Sequence, residues 1–218
     1  MNNIIKNKTV SVILILLIGF LATSCDEKTP AEPEATVFDV QGENGFVGTV
    51  DGTNAFIALL VTEVEAIVYV CNGDDEDIAE WFRGPIADPA DISLTNNNGA
   101  QITGKFDASS FTGNVTFSDA SVHSYTATPN TGRKTGIFRV YGDQAIQNEL
   151  VAGWIVNAAS EERGSVRVKG KKQSPTGIGG VLDGTSNTVA MFATSYPVFR
   201  FFLQRSAADS LQIIAPNN

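Results

Sequence analysis

The sequence predicts an all-β fold, an antiparallel meander forming a barrel or a rolled sandwich, with very little helix. Three observations carry this. Apolar residues recur in short runs with a period of two, and no stretch after residue 36 shows a long 3.6-residue period. Gly, Asn and Asp break these runs about every ten residues. Glycines also stand inside the runs, where they mark bulges or sharp bends.

The elements follow in order. Phe46 to Val50 is the first strand, and Asp51-Gly52-Thr53 is a turn because Asp-Gly supplies positive φ cheaply. Ala55 to Val61 and Ala66 to Cys71 come next. Both are apolar on both faces, which places them centrally in the sheet. Gln101 to Phe106 directs Ile102, Gly104 and Phe106 inward. Phe111 to Phe117 alternates, with Phe111, Gly113, Val115 and Phe117 on one face and Thr112, Asn114 and Thr116 on the other. Ser121 to Ala127, Thr135 to Tyr141, Leu150 to Val156 and Ser165 to Lys169 extend the meander, with Leu150, Trp154, Val166 and Val168 inward. Gly104 and Gly113, each among large residues, suit a strongly curled sheet. Asp77 to Phe82 and Ala207 to Ile213 are the two helix candidates, both short. Gly170 to Thr176 is a polar break and a candidate subdivision. After it, Gly177 to Thr185 repeats five of the nine residues of Gly45 to Thr53. One such echo does not establish a duplication. Tyr196 to Leu203 is apolar apart from Arg200 and should close the core.

The N-terminus has a different character. Lys6 and Lys8 precede Val10 to Leu21, an apolar run interrupted only by Ser11 and Gly19, and the small residues Ala22, Thr23 and Ser24 lead to Cys25. A positive start, a short apolar run and small residues form an export signal. The run is shorter than the ~20 residues a spanning helix needs. Residues 1–24 thus read as a signal peptide and residues 25–36, rich in Pro and Glu, as a linker too polar to pack. Residues 37–218 read as a single β-domain. Leu21 to Cys25 resembles the lipobox of bacterial lipoproteins, although Ala22 stands where that motif has a large aliphatic residue. The resemblance implies an acylated Cys25 and attachment to a membrane of the bacterial envelope, on its non-cytoplasmic side. Two or three acyl chains would hold firmly, since each buried methylene contributes about 0.8 kcal/mol. The alternative is an ordinary signal peptide with an incidental cysteine.

A second resemblance covers Gly45 to about Val168. Gly48 to Leu59 (GTVDGTNAFIAL), Tyr69-Val70-Cys71-Asn72-Gly73, Glu80-Trp81-Phe82-Arg83-Gly84 and Gly153-Trp154-Ile155-Val156 carry it. This stretch resembles a family of uncharacterised secreted bacterial β-domains. The resemblance implies a fold and no catalytic residues.

Charge narrows the partners. Cleavage after residue 24 would remove Lys6 and Lys8 from 15 basic residues and none of 24 acidic ones, so the charge of −9 becomes −11. That balance argues against nucleic-acid binding. With Cys25 acylated, Cys71 has no partner within the chain. Set in the apolar run Ala66 to Cys71, it reads as a buried, inert thiol, because free cysteine packs as a small hydrophobe.

Four groups compete as sites. Asn72 to Asp77 (NGDDED) is the densest acidic cluster, and Asp74, Glu76 and Asp77 are the candidate ligands for Ca²⁺, a cation that takes carboxylate oxygens. The competing reading is a solvated loop capping a helix, with Asp77 as N-cap and Glu80 at N3. His123 lies near Asp119, Ser121 and Ser124, the residue types of a nucleophilic triad. His123 and Ser124 point to opposite faces of a strand, and no nucleophile elbow is present. A rim histidine is the better reading, and no catalytic residue is assigned. Arg163, Arg167, Lys169 and Lys171 fall on one face of an extended strand, a candidate surface for an anionic glycan or headgroup. An edge strand defended by charge is the better reading. Trp81 and Phe82 form either a carbohydrate platform or core. No cofactor is implied. The leading functional expectation is a lipid-anchored, non-enzymatic β-domain that contacts an envelope glycan or captures a small ligand in a barrel mouth. A hydrolase of envelope polymer using carboxylates, or a structural spacer, is the alternative.

Overall fold

A computed structural model describes residues 45–73, 78–107, 109–131, 134–168, 171–173, 186–191, 194–208 and 210–214. The chain is almost entirely antiparallel β-structure in two sheets. The signal peptide, the linker, Cys25 and the echo of residues 177–185 lie outside the described residues.

The first sheet has eight strands: β1 Phe46–Val50, β2 Phe56–Val61, β3 Glu65–Cys71, β4 Ala79–Pro85, β5 Asp91–Thr95, β6 Gln101–Asp107, β7 Ser110–Thr116 and β8 Val122–Pro129. Their order is β4-β3-β2-β1-β8-β7-β6-β5, and the sheet curls until its two ends nearly meet. The second sheet runs β12-β11-β10-β9-β14-β13. It consists of β9 Gly136–Val140, β10 Leu150–Val156, β11 Glu162–Val168, β12 Lys171–Gln173, β13 Ser186–Met191 and β14 Thr194–Arg205. β15 Leu211–Ile214 pairs with β14 alone. One short helix, α1 Asp143–Gln147, follows Gly142 and places Ala145 against the second sheet's core.

Alternation sorts the side chains into three apolar layers. On β2, Ile57, Leu59 and Val61 point into the barrel, where they meet Val68, Val70, Phe82, Ile102 and Phe111. Phe56, Ala58 and Leu60 point outward, joining Ile67 and Tyr69 from β3 against Ile137, Ile155, Phe201 and Leu203 of the second sheet. The far face of the second sheet carries Phe138, Ala152, Trp154, Val166 and Val198. β2 and β3 are thus buried on both faces, but not because they are central. β3 is second and β2 third from one end of the order. The second sheet lies over them, and burying both faces of a strand needs only an apolar layer on each side.

Gly104 and Gly113 sit opposite each other on β6 and β7. A Cβ on Gly104 would stand 2.0 Å from the Tyr125 hydroxyl, and one on Gly113 would stand 2.0 Å from the Thr103 carbonyl oxygen. The missing side chains let the Tyr125 ring cross the barrel interior, where burial pushes its phenol pKa upward.

Both helix candidates are strands instead. Ala79–Pro85 pairs residue for residue with β3, and Leu211–Ile214 pairs with β14. The acidic lead-in at residues 74–77 suggested a helix cap, and ladder pairing of the Trp81 and Phe82 segment overrides that local preference. β5 was not anticipated from the sequence.

Three hairpins share one device. In Asn96–Ala100, Phe117–Ser121 and Asn157–Glu161 the first and fifth residues pair through the backbone, and the fourth donates its N–H to the first. The fourth residue has positive φ: Gly99 at 84°, Ala120 at 67° and Ser160 at 64°. This is the three-residue hairpin loop that ends in a left-handed residue.

Two stability tests follow from this geometry. Gly113→Ala drives a methyl into backbone atoms that cannot yield, and it should lower unfolding free energy by about 1–3 kcal/mol in urea titration. Ala120→Gly relieves the left-handed penalty on a side-chain-bearing residue and should raise it by about 1 kcal/mol. An unchanged urea midpoint in either variant contradicts the account.

Candidate functional site

The barrel is filled, so a ligand site has to lie elsewhere. Phe46, Phe111, Tyr125, Ile57, Leu59, Ile92 and Ile102 are among its essentially inaccessible interior side chains. Three depressions lined by described residues lie outside that core. The smallest, about 230 Å³, includes Thr49, Thr128, Asn157 and Asn130, whose buried Nδ2 has no partner among the described residues, and the other two hold residues singled out from the sequence.

The larger, about 490 Å³, lies at one barrel end and is lined by Gly52, Thr53, Ile78, Glu80, Phe117, Ser118, Asp119, Ser121 and His123. Its polar groups are largely taken up by the adjoining turns. Ser121 Oγ donates to Asp119 Oδ1 at 2.6 Å, and His123 Nδ1 lies 3.0 Å from the Asp51 carbonyl oxygen. A carbonyl only accepts, so Nδ1 carries the proton in this contact. Ser124 Oγ donates to Asp51 Oδ2 at 2.6 Å. The four triad-type residues are therefore neighbours that bind turn atoms, with no hydrogen bond between either serine and His123. Glu80 is 7% exposed, and its Oε2 accepts from Asn96 Nδ2 at 2.6 Å and Asn98 Nδ2 at 3.0 Å.

The second depression, about 300 Å³, opens between the sheets. Tyr69, Ala79 and Trp81 come from the barrel's outer face, Val151, Gly153, Ser165 and Arg167 from β10 and β11, and Asn96, Asn97, Asn98 and Glu149 from turns. Register explains the meeting. Arg139, Gly153 and Ser165 form one row across β9, β10 and β11. Tyr69 and Trp81 form a facing row across β3 and β4. Their rings stack at 4.0 Å and 17°. Gly153 touches down on the pair: a Cβ there would lie 2.5 Å from Trp81 Cζ2 and 3.1 Å from Tyr69. Tyr69 donates its hydroxyl to the Gly153 carbonyl at 3.2 Å. Burial holds the Tyr69 phenol well above its usual pKa, with neighbouring Cys71 adding to the effect.

Trp81 is therefore not a bare platform. Tyr69 stacks on it, the Arg139 guanidinium lies 5.4 Å from its ring centroid, and Phe201 meets it edge-on. Desolvation, and then the like charge of Arg83, lower the Arg139 pKa. Phe82 is interior, 1% exposed within the barrel.

Ser165 separates this cleft from the barrel-end depression. It is 3% exposed, and its Oγ has no hydrogen-bond partner among the described residues. A buried hydroxyl without a partner is uncommon and costs free energy.

The basic stripe divides. Arg163 stacks over Phe56 at 4.6 Å and donates to the carbonyls of Asn54 and Glu162, pinning the second sheet to the barrel. Arg167 lines the cleft. Lys169 lies outside the described residues, as does the side chain of Lys171. β11 is not an edge strand, since β12 flanks it. Asp74, Glu76 and Asp77 are outside the described residues, among which no cluster of metal-ligating side chains occurs. Cys71 is fully buried, as the apolar run implied. Sequence reasoning missed Ser165, Glu149, Gly153 and Asn96 to Asn98 as cleft residues. The three consecutive asparagines were the one visible signal.

Compared with family models, curated proteins and solved structures, the chain matches none.

The Asp119 turn yields a pH prediction. Hydrogen bonds from the Ser121 hydroxyl and backbone N–H hold its pKa below the ordinary 3.8, and His123 contributes in the same direction. A depressed folded-state pKa stabilises above the unfolded value, and that stabilisation disappears as pH falls through the folded one. Ser121→Ala should move the Asp119 titration, followed by carboxyl NMR, back toward 3.8. An unmoved titration refutes the hydroxyl's role.

Proposed function

We propose that this chain is a lipid-anchored protein of the bacterial envelope whose β-domain binds a small polar ligand without transforming it. The cleft between the sheets is the binding site. The observation that carries this is Ser165, whose buried, unpartnered hydroxyl lines a cleft beside Arg167 and against an aromatic pair. Small-molecule sites combine apolar walls with a few such convergent polar groups. The barrel-end depression is larger, but its Ser121, His123 and Glu80 are bonded to neighbouring turns.

Binding is favoured over envelope-polymer hydrolysis by the carboxylates. Glycoside hydrolysis usually takes two across the substrate. Among the cleft's lining residues Glu149 is the one carboxylate, and Glu80 lies behind the Asn96 and Asn98 amides that it holds. The anchoring half of the proposal rests on Lys6, Lys8, the apolar run to Leu21 and the small residues before Cys25.

Each half has its own test. Mass spectrometry of the mature N-terminus should find an acylated Cys25, and Cys25→Ala should release the protein from membranes. A variant that stays membrane-bound, or an unmodified Cys25, removes the anchor. For the cleft, Val151→Trp fills the opening from a side chain that is 40% exposed and so leaves the core intact. A small-molecule screen should return ligands whose binding that variant abolishes. A screen whose only ligands ignore Val151→Trp rejects the cleft as the site.

A further inference from the structure

We infer that the cleft's ligand is a neutral pyranose, as a free sugar or as one residue of a glycan. The inference deepens the binding reading above and rests on it.

Charge balance comes first. Among the lining residues Arg167 is the one cation and Glu149 the one anion. A sugar acid would oppose Glu149 and an amino sugar would oppose Arg167. A neutral polyol uses both. The whole chain adds to this, with 24 acidic against 15 basic residues repelling phosphates and polyanions at long range.

Hydrogen-bonding capacity comes second. Each sugar hydroxyl both donates and accepts, so its site needs both kinds of partner. The Asn97 and Arg167 side chains offer donors, the Glu149 carboxylate offers acceptors, and Ser165 Oγ offers either. Asn98 is oriented in advance. Its Nδ2 is committed to Glu80 at 3.0 Å, which fixes the amide plane and leaves Oδ1 as an acceptor. Preset amides cut the ordering cost of binding.

The walls come third. Ala79, Val151 and Gly153 are apolar and small, and they flank the half-buried Trp81 ring. A pyranose presents C–H faces that pack on such surfaces. Because Tyr69 stacks on Trp81 and Arg139 lies over it, the ring is held in place rather than free to swing. The volume, about 300 Å³, sits at the lower end of small-molecule sites, which suits one ring.

The test is isothermal titration of the full chain, extracted in a detergent without sugar headgroups. The neutral probes are methyl glucoside, methyl galactoside and methyl mannoside, and the charged probes are glucuronic acid, glucosamine and glycine. A neutral pyranoside should bind, and Val151→Trp should abolish the signal. Arg167→Ala and Asn98→Ala should each weaken it by about tenfold or more, as loss of a hydrogen bond to a charged or preset group implies. Asn98 is exposed, so its variant stays informative if Arg167→Ala fails to fold. Tighter binding of a neutral oligosaccharide than of its methyl glycoside identifies a glycan as the source, and equal binding a free sugar. If a charged probe binds in place of the neutral ones and Val151→Trp blocks it, the sugar assignment falls and the cleft remains a ligand site. If no probe binds, the sugar assignment falls while the screen above still decides the cleft, and if binding survives Val151→Trp, both readings fall.

Discussion

The approach of Gly153 to the Tyr69–Trp81 pair governs how the two sheets meet. With no side chain at residue 153, the backbone of β10 descends until its carbonyl accepts the Tyr69 hydroxyl. Everything on either side takes its height from that contact. Ile155 and Ile137 reach Phe56, Ala58 and Leu60, and the middle apolar layer closes. A side chain at 153 would lift the second sheet and leave that layer underpacked. A void there forfeits dispersion contacts outright. Ser165 and Arg167 stand beside the touchdown point on the neighbouring strand β11, where they line the cleft.

The strand framework was largely legible, because one-face and two-face burial write different patterns. Phe111 to Phe117 alternates in sequence, and its Phe111, Val115 and Phe117 are buried in the barrel. Leu150 to Val156 appears as β10 with the anticipated boundaries. Some information was absent in principle. β2 reads the same whether strands or a second sheet cover its outer face, so the sequence could not say why both faces are apolar. β4 was mistaken for helix because its acidic lead-in mimics a cap, while its pairing with β3 is a non-local fact. α1 is five residues long and owes its place to the turn at Gly142, too short for any period to show.

The cleft was less legible than the fold. Arg167 was singled out, but as part of a stripe with Arg163, and only the tertiary structure separates a residue lining a cleft from one clamped on Phe56. Ser165 and Glu149 carry no local signature. They become site residues through the Gly153↔Ser165 register and the turn that precedes β10. Trp81 was read as either platform or core, and the structure makes it a strut between sheets that shows its remaining surface to the cleft.

The incomplete closure of the barrel bears on how copies of this chain behave near one another. β4 and β5 end the strand order without a backbone ladder between them, so each keeps a row of unpaired amide and carbonyl groups. Such rows are templates for a strand from another molecule. Here the two rows face each other across a seam stitched by Glu80 with Asn96 and Asn98, where Leu94 packs close to Gly84. Pro85, which has no N–H to offer, ends β4. Each edge serves as the other's cover. Within the barrel, strand exchange with a neighbouring copy is thereby opposed without a ring of backbone hydrogen bonds that never opens.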